Sequence, residues 1–525
     1  MTTPQTQVST AHAASGEDSA TARREWRRMA IGIIAGLALA ALVWLIFPAD
    51  AVDTVMQSPG VKEDTEYSHA ALRTVAAVTV LMGVWWMTEA IPLPATALLP
   101  IAIFPLAGVA TIKDVTAPYA SATIFLFMGG FLIALALQRW NLHRRMALFV
   151  VKIVGVSPKR LILGFMLATG FLSMWVSNTA TAVVMLPIGM SVLALTADVV
   201  GGHRNQKKFA TALMLGIAYS ASIGSLGTLI GTPPNALLSG YMKEAHNIDL
   251  GFARWMMVGM PLAVIFLFIA WFVLITVFKP EMDTIPGGKE LIDEELRAMG
   301  PWTGPQISTG VIFLLAALSW VAVPLLIDKE AWNYNDAIVG IIAGLLLFLI
   351  PADFKKGTRL LDWDTASELP WDVLLLFGGG LSLSAMFNAS GLSLWIGEVA
   401  KGLGVLPIFL LIGAVALMVL FLTEITSNTA TAATFLPIMG GVAVGIGLTE
   451  NSEANVLILT IPVALAATCA FMLPVATPPN AIAYGSGYVK IGDMIKGGVG
   501  LNLIGSVLIT LTVYFLAIPV FALVF

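Results

Sequence analysis

Apolar stretches about as long as a bilayer is thick follow one another along almost the whole chain, separated by short polar loops. A membrane-crossing helix needs about 20 predominantly apolar residues. On that measure crossings are expected near 29–48, 74–92, 95–110, 120–138, 209–242, 252–278, 306–327, 336–351, 371–388, 455–487 and 497–525. Two further apolar stretches, 161–198 and 403–447, are interrupted midway by polar residues. They read as hairpins that enter and leave on one side. The fold class is therefore an all-α polytopic membrane protein with about 11 transmembrane helices and two re-entrant hairpins.

The interruptions repeat. Ser177-Asn178-Thr179-Ala180-Thr181-Ala182 returns as Ser427-Asn428-Thr429-Ala430-Thr431-Ala432, and residues 171–188 and 421–438 share 11 identities in 18 at a constant offset of 250. The same offset pairs Phe127, Gly129 and Gly130 with Phe377, Gly379 and Gly380. Each copy is followed by a second motif, Gly231-Thr232-Pro233-Pro234-Asn235 and Ala476-Thr477-Pro478-Pro479-Asn480, in the middle of an apolar run. The chain is a duplication. Its first repeat spans 74–278, with hairpin 161–198 and broken helix 209–242. The second spans 306–525, with hairpin 403–447 and broken helix 455–487, and a cytoplasmic linker at 279–305 joins the two.

Residues 1–28 read as a disordered cytoplasmic tail, because Thr, Ser, Ala and Gln dominate its first 22 positions and bury too little apolar surface to order a chain. Arg23, Arg24, Arg27 and Arg28 then precede the run 29–48. This run is longer than the core of a signal peptide and reads as a retained first helix. The Gly32-xxx-Gly36 spacing inside it reads as local close packing rather than a dimer motif. With the N-terminus inside, 21 of 28 Lys and Arg fall on the cytoplasmic side, as the positive-inside rule requires. The C-terminus is then extracytoplasmic. Five crossings separate corresponding elements, so the halves point in opposite directions through the membrane. Inverted repeats of this kind carry a substrate site near the midplane of secondary transporters.

Composition narrows the function. With 58% hydrophobic and 11% charged residues, against about 25% charged in soluble domains, the chain belongs in a bilayer, here the plasma (inner) membrane. A net charge of −4 without a basic-aromatic patch argues against nucleic acid. Cys469 stands alone, which excludes an intrachain disulfide, and the five histidines fall in the tail or loops. No nucleophile-base pair or phosphate-cradling loop is visible, so no enzyme is expected.

Non-helical backbone at membrane depth is tolerated where it is buried in protein or lines a wet cavity. Freed carbonyls with Ser, Thr and Asn oxygens suit a hard monovalent cation. Freed amides suit a carboxylate. No Arg or Lys lies mid-span, so dipoles and cations, rather than basic side chains, must meet an anion there. Glu424 lies four residues before Asn428 and is open to three readings: tuning a cation site, carrying a proton, or bonding to a neighbouring helix. Glu89 reads as an interfacial anchor or cap.

The segment WWMTEAIPLPATALLP at 85–100, together with the paired Ser-Asn-Thr and Pro-Pro-Asn motifs, resembles the divalent anion/sodium symporter family. The resemblance runs from about residue 30 to the end. It implies an inverted-repeat homodimer with an elevator mechanism. It also implies one sodium site at Ser173, Ser177, Asn178 and the carbonyl of Gly231, and a second at Thr423, Thr426, Asn428 and the carbonyl of Ala476. Substrate carboxylates would meet Asn178, Thr179, Ser427, Asn428 and Thr429, with Thr232, Pro233, Thr477 and Pro478 closing the pocket. Relatives often carry Ala where Thr426 stands. The expected function is sodium-coupled, electrogenic uptake of C4 dicarboxylates such as succinate, fumarate and malate, with Na+ as the co-transported ion. The alternatives are a dicarboxylate/citrate exchanger, a proton-coupled symporter and, from another class, an ion channel.

Overall fold

The computed structural model describes residues 6–58, 61, 66–155, 157–200, 202–285, 287–326 and 334–524, with side chains from Trp26 onward except at 198–200, 203 and 204. Among them eight helices are long and apolar enough to cross a bilayer, or nine if Leu392–Val405 and Ile408–Thr423, bent by 120°, form one span. The runs expected near 95–110 and 336–351 are shorter helical pieces, Leu93–Leu106 and Asp336–Leu349. Proline begins each turn of the first, at Pro94 and Pro100.

The first helix, α1, runs Thr6–Ile46. The tail expected to be disordered therefore has helical backbone from Thr6 on. An Ala-rich segment that continues an existing helix needs no nucleation of its own. Helix α2 (His69–Thr88) packs against α1, and the Gly32/Gly36 stripe forms that seam. A Cβ at Gly32 would stand 2.6 Å from Thr88 Oγ1, and one at Gly36 would stand 2.4 Å from the Trp85 indole nitrogen. The spacing thus serves close packing within one chain.

After a short helix α3 (Leu99–Leu106) the first repeat continues through α4 (Ala122–Arg139), α5 (Leu142–Val154), the hairpin limbs α6 (Pro158–Ser173) and α7 (Asn178–Val200), the broken pair α8 (Lys207–Ser225) and α9 (Pro233–His246), and α10 (Phe252–Val277). The linker contains α11 (Gly288–Ala298), strapped to α5 by Arg144–Glu295 at 2.6 Å and Lys152–Asp293 at 2.7 Å. Helices α12 (Gly304–Leu326) and α13 (Asp336–Leu349) follow, then a small antiparallel pair of β1 (Pro351–Asp353) and β2 (Thr358–Arg359).

The second repeat copies the first through α14 (Trp371–Ser390), α15 (Leu392–Ala400), the limbs α16 (Ile408–Thr423) and α17 (Asn428–Gly445), the broken pair α18 (Leu457–Thr468) and α19 (Pro478–Gly485), and α20 (Ile491–Thr512). The two copies meet on their own equivalents. Phe127 of α4 and Phe377 of α14, 250 positions apart, touch edge to face with ring centroids 5.2 Å apart. Two equivalent residues touch each other only where a two-fold axis passes between them.

Close backbone approach aligns the hairpin with the broken helix. A Cβ at Gly224 of α8 would lie 2.1 Å from the carbonyl oxygen of Gly170 in α6, so glycine at this crossing brings the ends of the two helices together. Overpacking of a packed interface typically costs about 1–3 kcal/mol. Gly224→Val is therefore expected to lower the thermal midpoint of the detergent-solubilised protein by several degrees. A conservative change at the open position Gly304, where nothing would meet a Cβ within 4 Å, should leave it unchanged.

Candidate functional site

Both hairpins turn on a polar residue at the start of the returning limb. Ser177 precedes α7 and its hydroxyl accepts a hydrogen bond from Ala180 N at 3.3 Å, an N-cap. Ser427 holds the same place before α17 with extended backbone. Asn178 and Asn428 are then the first helical residues, set opposite Ser173 and Thr423, which close the preceding limbs.

This arrangement produces two matching oxygen clusters. Ser173 Oγ lies 2.6 Å from Asn178 Oδ1 and 2.5 Å from the carbonyl of Ala221 in α8. Thr423 Oγ1 lies 2.8 Å from Asn428 Oδ1 and 2.8 Å from the carbonyl of Ala467 in α18. A hydroxyl has one proton to give, so Ser173 and Thr423, each set between two oxygens, can donate to only one of them. Ser173 and Thr423 are fully buried. Crowded oxygens with too few protons, away from water, are the donor set of a hard cation. Beside the first cluster, Asn178 Nδ2 donates to Ser225 Oγ at 3.4 Å. Gly231 sits against Ser225 so closely that a Cβ would be 2.3 Å from its carbonyl oxygen.

Other expected residues fall elsewhere. Thr426 donates to Leu422 O at 2.9 Å and pairs with Thr431 Oγ1 at 2.6 Å, partners within its own hairpin. The prolines of the Pro-Pro-Asn motifs do not break a helix from its middle. They occupy the first turns of α9 and α19, where a missing N–H costs no intrahelical bond. The asparagines that follow close off the preceding half-helices. Asn235 Nδ2 donates to Thr228 O at 2.9 Å, and Asn480 Nδ2 donates to Ala470 O at 3.0 Å and Leu473 O at 3.1 Å. Thr232 reaches the other repeat, with its hydroxyl 3.4 Å from that of Thr468. Thr477 accepts from Asn480 N at 3.3 Å.

Glu424 resolves into one of its three readings. Its carboxylate, 3% exposed, accepts from the amides of Phe471 at 2.6 Å, Met472 at 2.9 Å and Leu473 at 3.1 Å, and from Asn502 Nδ2 of α20 at 2.7 Å. These three amides are the ones freed where α18 stops. Four donors around an all-acceptor carboxylate make Glu424 the fastening between the hairpin, the broken helix and α20. Glu89 is the residue that ends α2, in left-handed backbone with φ 50°.

A single cavity of about 1670 Å³ joins the two hairpin tips and the two breaks. Its lining includes Ser177, Asn178, Thr179, Gly231, Thr232 and Pro233 from the first repeat. From the second come Thr426, Ser427, Asn428, Thr429, Ala476, Thr477 and Pro478. Ser173 and Thr423 stand behind this wall. Sequence reading missed Ala221 and Ala467, which contribute backbone carbonyls and leave no trace in residue type. It also missed Ser225 and Asn502, whose only signal was a polar side chain inside an apolar run.

Replacing Glu424 by Gln keeps the shape but aims an N–H₂ at backbone donors. The expected cost is about 1–3 kcal/mol for the amide left unpaired, seen as a lower thermal midpoint. Asn502→Leu, which removes one donor of four, should cost less. Equal stability of E424Q and the parent protein would show that the carboxylate fastens nothing.

Residues 66–523 match the family model described as the sodium:sulfate symporter transmembrane region. The chain is 43% identical over 456 residues to a sodium-dependent dicarboxylate transporter, SdcS, of Staphylococcus saprophyticus, covering 85% of this chain and 86% of the relative. It is 44% identical over 451 residues to the protein of the same description from Staphylococcus aureus USA300, covering 84% and 85%. Among solved structures, the Alcanivorax borkumensis YdaH transporter aligns with a TM-score of 0.50 at 17% identity, over 84% of this chain and 98% of that one. Neisseria gonorrhoeae MtrF aligns with a TM-score of 0.51 at 12% identity, over 89% and 98%. At those identities the structural likeness concerns the fold alone. The family match, spanning both hairpins, both breaks and the cavity between them, establishes that this chain belongs to the sodium:sulfate symporter family of polytopic membrane proteins.

Proposed function

We propose that the protein takes up C4 dicarboxylates such as succinate, fumarate and malate, coupled to sodium, by an elevator mechanism in a homodimer. The observation that carries this reading is the pair of oxygen clusters at Ser173–Asn178–Ala221 and Thr423–Asn428–Ala467, flanking one cavity. The relatives described as sodium-dependent dicarboxylate transporters support it. In this reading a sodium ion fills each cluster. Asn178, Thr179, Ser427, Asn428 and Thr429 hold the two carboxylates, and Thr232, Pro233, Thr477 and Pro478 close the pocket. Gly231 and Ala476 add carbonyls. Ser177 serves as a cap and Thr426 as a brace within its hairpin.

The chemistry is self-consistent. A dianion in a low-dielectric site needs compensating positive charge, and the described residues of the cavity include no basic side chain beside the tips. Two sodium ions make the bound set neutral. A third makes the cycle carry one net positive charge, which contributes about 2.3 kcal/mol per 100 mV of membrane potential. Electrogenic uptake is the corresponding reading. Proton coupling is the weaker alternative, because Glu424, the acid nearest the tips in sequence, already has four N–H donors. We place the protein in the plasma membrane with its N-terminus cytoplasmic, so that the cavity opens inward.

In proteoliposomes, succinate uptake should follow an imposed sodium gradient and rise with an inside-negative potential. Equal uptake in choline and sodium would reject the coupling. Removing one cluster oxygen by Ser173→Ala or Thr423→Val should cost about 1.5–3 kcal/mol of cation binding, raising sodium half-saturation roughly 10- to 100-fold. Unaltered sodium dependence in both variants would remove the clusters from the mechanism.

A further inference from the structure

The cavity is not uniformly neutral. Its lining includes Arg27 and Arg28 of α1, its only basic residues among those described, together with Glu89, Glu368 and Asp372. Arg28 Nη2 lies 3.5 Å from Glu89 Oε2, and both side chains are more than half exposed. A single long contact between solvated groups is a weak pairing and exchanges readily for another carboxylate.

Its position, in contrast, is fixed. Arg28, Gly32 and Gly36 form one stripe at four-residue spacing on α1. The two glycines seat against Thr88 and Trp85 of α2, and the Trp85 indole donates to Ile33 O at 3.4 Å. That seam holds Arg28 over the end of α2, where the left-handed backbone of Glu89 turns its side chain to the mouth. Without the arginines the mouth would present three carboxylates to a departing or arriving dianion. The cation–dianion attraction would be felt over about 10 Å at 0.1 M salt.

We propose that Arg27 and Arg28 form a second, transient carboxylate site at the mouth of the cavity, where an incoming or outgoing dicarboxylate displaces Glu89 from Arg28. This rests on the dicarboxylate reading above. The site raises the local concentration of dianion on the arginine-bearing face, cytoplasmic in that reading, and leaves binding from the opposite face untouched. It also makes Glu89 a competitor of the substrate, so that substitutions of the two partners act in opposite directions.

The experiment compares sodium-driven succinate uptake by inverted membrane vesicles, which expose this face, with uptake by intact cells. In about 20 mM sodium chloride, where charge interactions reach roughly 20 Å, R27Q/R28Q should raise the KM of inverted vesicles by about threefold or more. E89Q should lower it. Addition of about 0.2 M choline chloride should bring the three proteins together. The KM in intact cells should agree among them within about twofold. Shifts of equal size on both faces, a shift in the same direction for R27Q/R28Q and E89Q, or no shift at low salt would overturn the proposal. If the unsubstituted protein takes up no succinate in either preparation, the dicarboxylate reading itself falls.

Discussion

In a medium without water, every backbone amide and carbonyl released from a helix must find its partner inside the protein. That constraint governs this molecule at four places, the two hairpin turns and the two helix breaks. The repeats meet it with different groups. In the first, the Thr228 hydroxyl of the break donates to the carbonyl of Met174 in the hairpin at 2.5 Å. In the second, the residue at the matching position is Glu424, and its carboxylate collects the freed amides of 471–473. Each hairpin is thereby tied to the broken helix of its own repeat, and the geometry of each cluster follows from the tie.

With these bonds made, what is left over becomes informative. Asn235 and Asn480 donate to carbonyls just beyond the ends of α8 and α18, while the Oδ1 atom of each is buried without a partner. Both clusters crowd one hydroxyl, of Ser173 or Thr423, between two oxygens. Both clusters are assembled from the end of one helix, the start of the next and a carbonyl from a third, all on rigid elements. The tips and breaks line the cavity with uncharged groups, and its charged residues, Arg27, Arg28, Glu89, Glu368 and Asp372, belong to other elements.

The linker helix α11 is fastened to α5, the helix that leads into the first hairpin, through two half-exposed ion pairs. Arg145 donates to the carbonyls of Met299 and Gly300 at the end of that linker helix. The corresponding helix of the second repeat, α15, is held by apolar packing, with Trp395 against Phe47 at 4.9 Å. The two arms that carry the hairpins thus rest on different physics.

Sequence alone determined the membrane class, the duplication, the hairpins and the suspect motifs. Each leaves a linear trace: uninterrupted apolar runs, a constant offset of 250, and polar residues with no water to bind. It identified Asn178, Asn428, Ser173 and Thr423 because they are side chains in conspicuous positions. It left open that the prolines begin half-helices, and it left Glu424 open among three roles. The tertiary structure decided those roles, and it decided that both tips face one cavity. It also supplied the carbonyls of Ala221 and Ala467. Backbone oxygens are the same in every residue, so only the packing of α6 on α8 and of α16 on α18 selects which of them meet a hydroxyl.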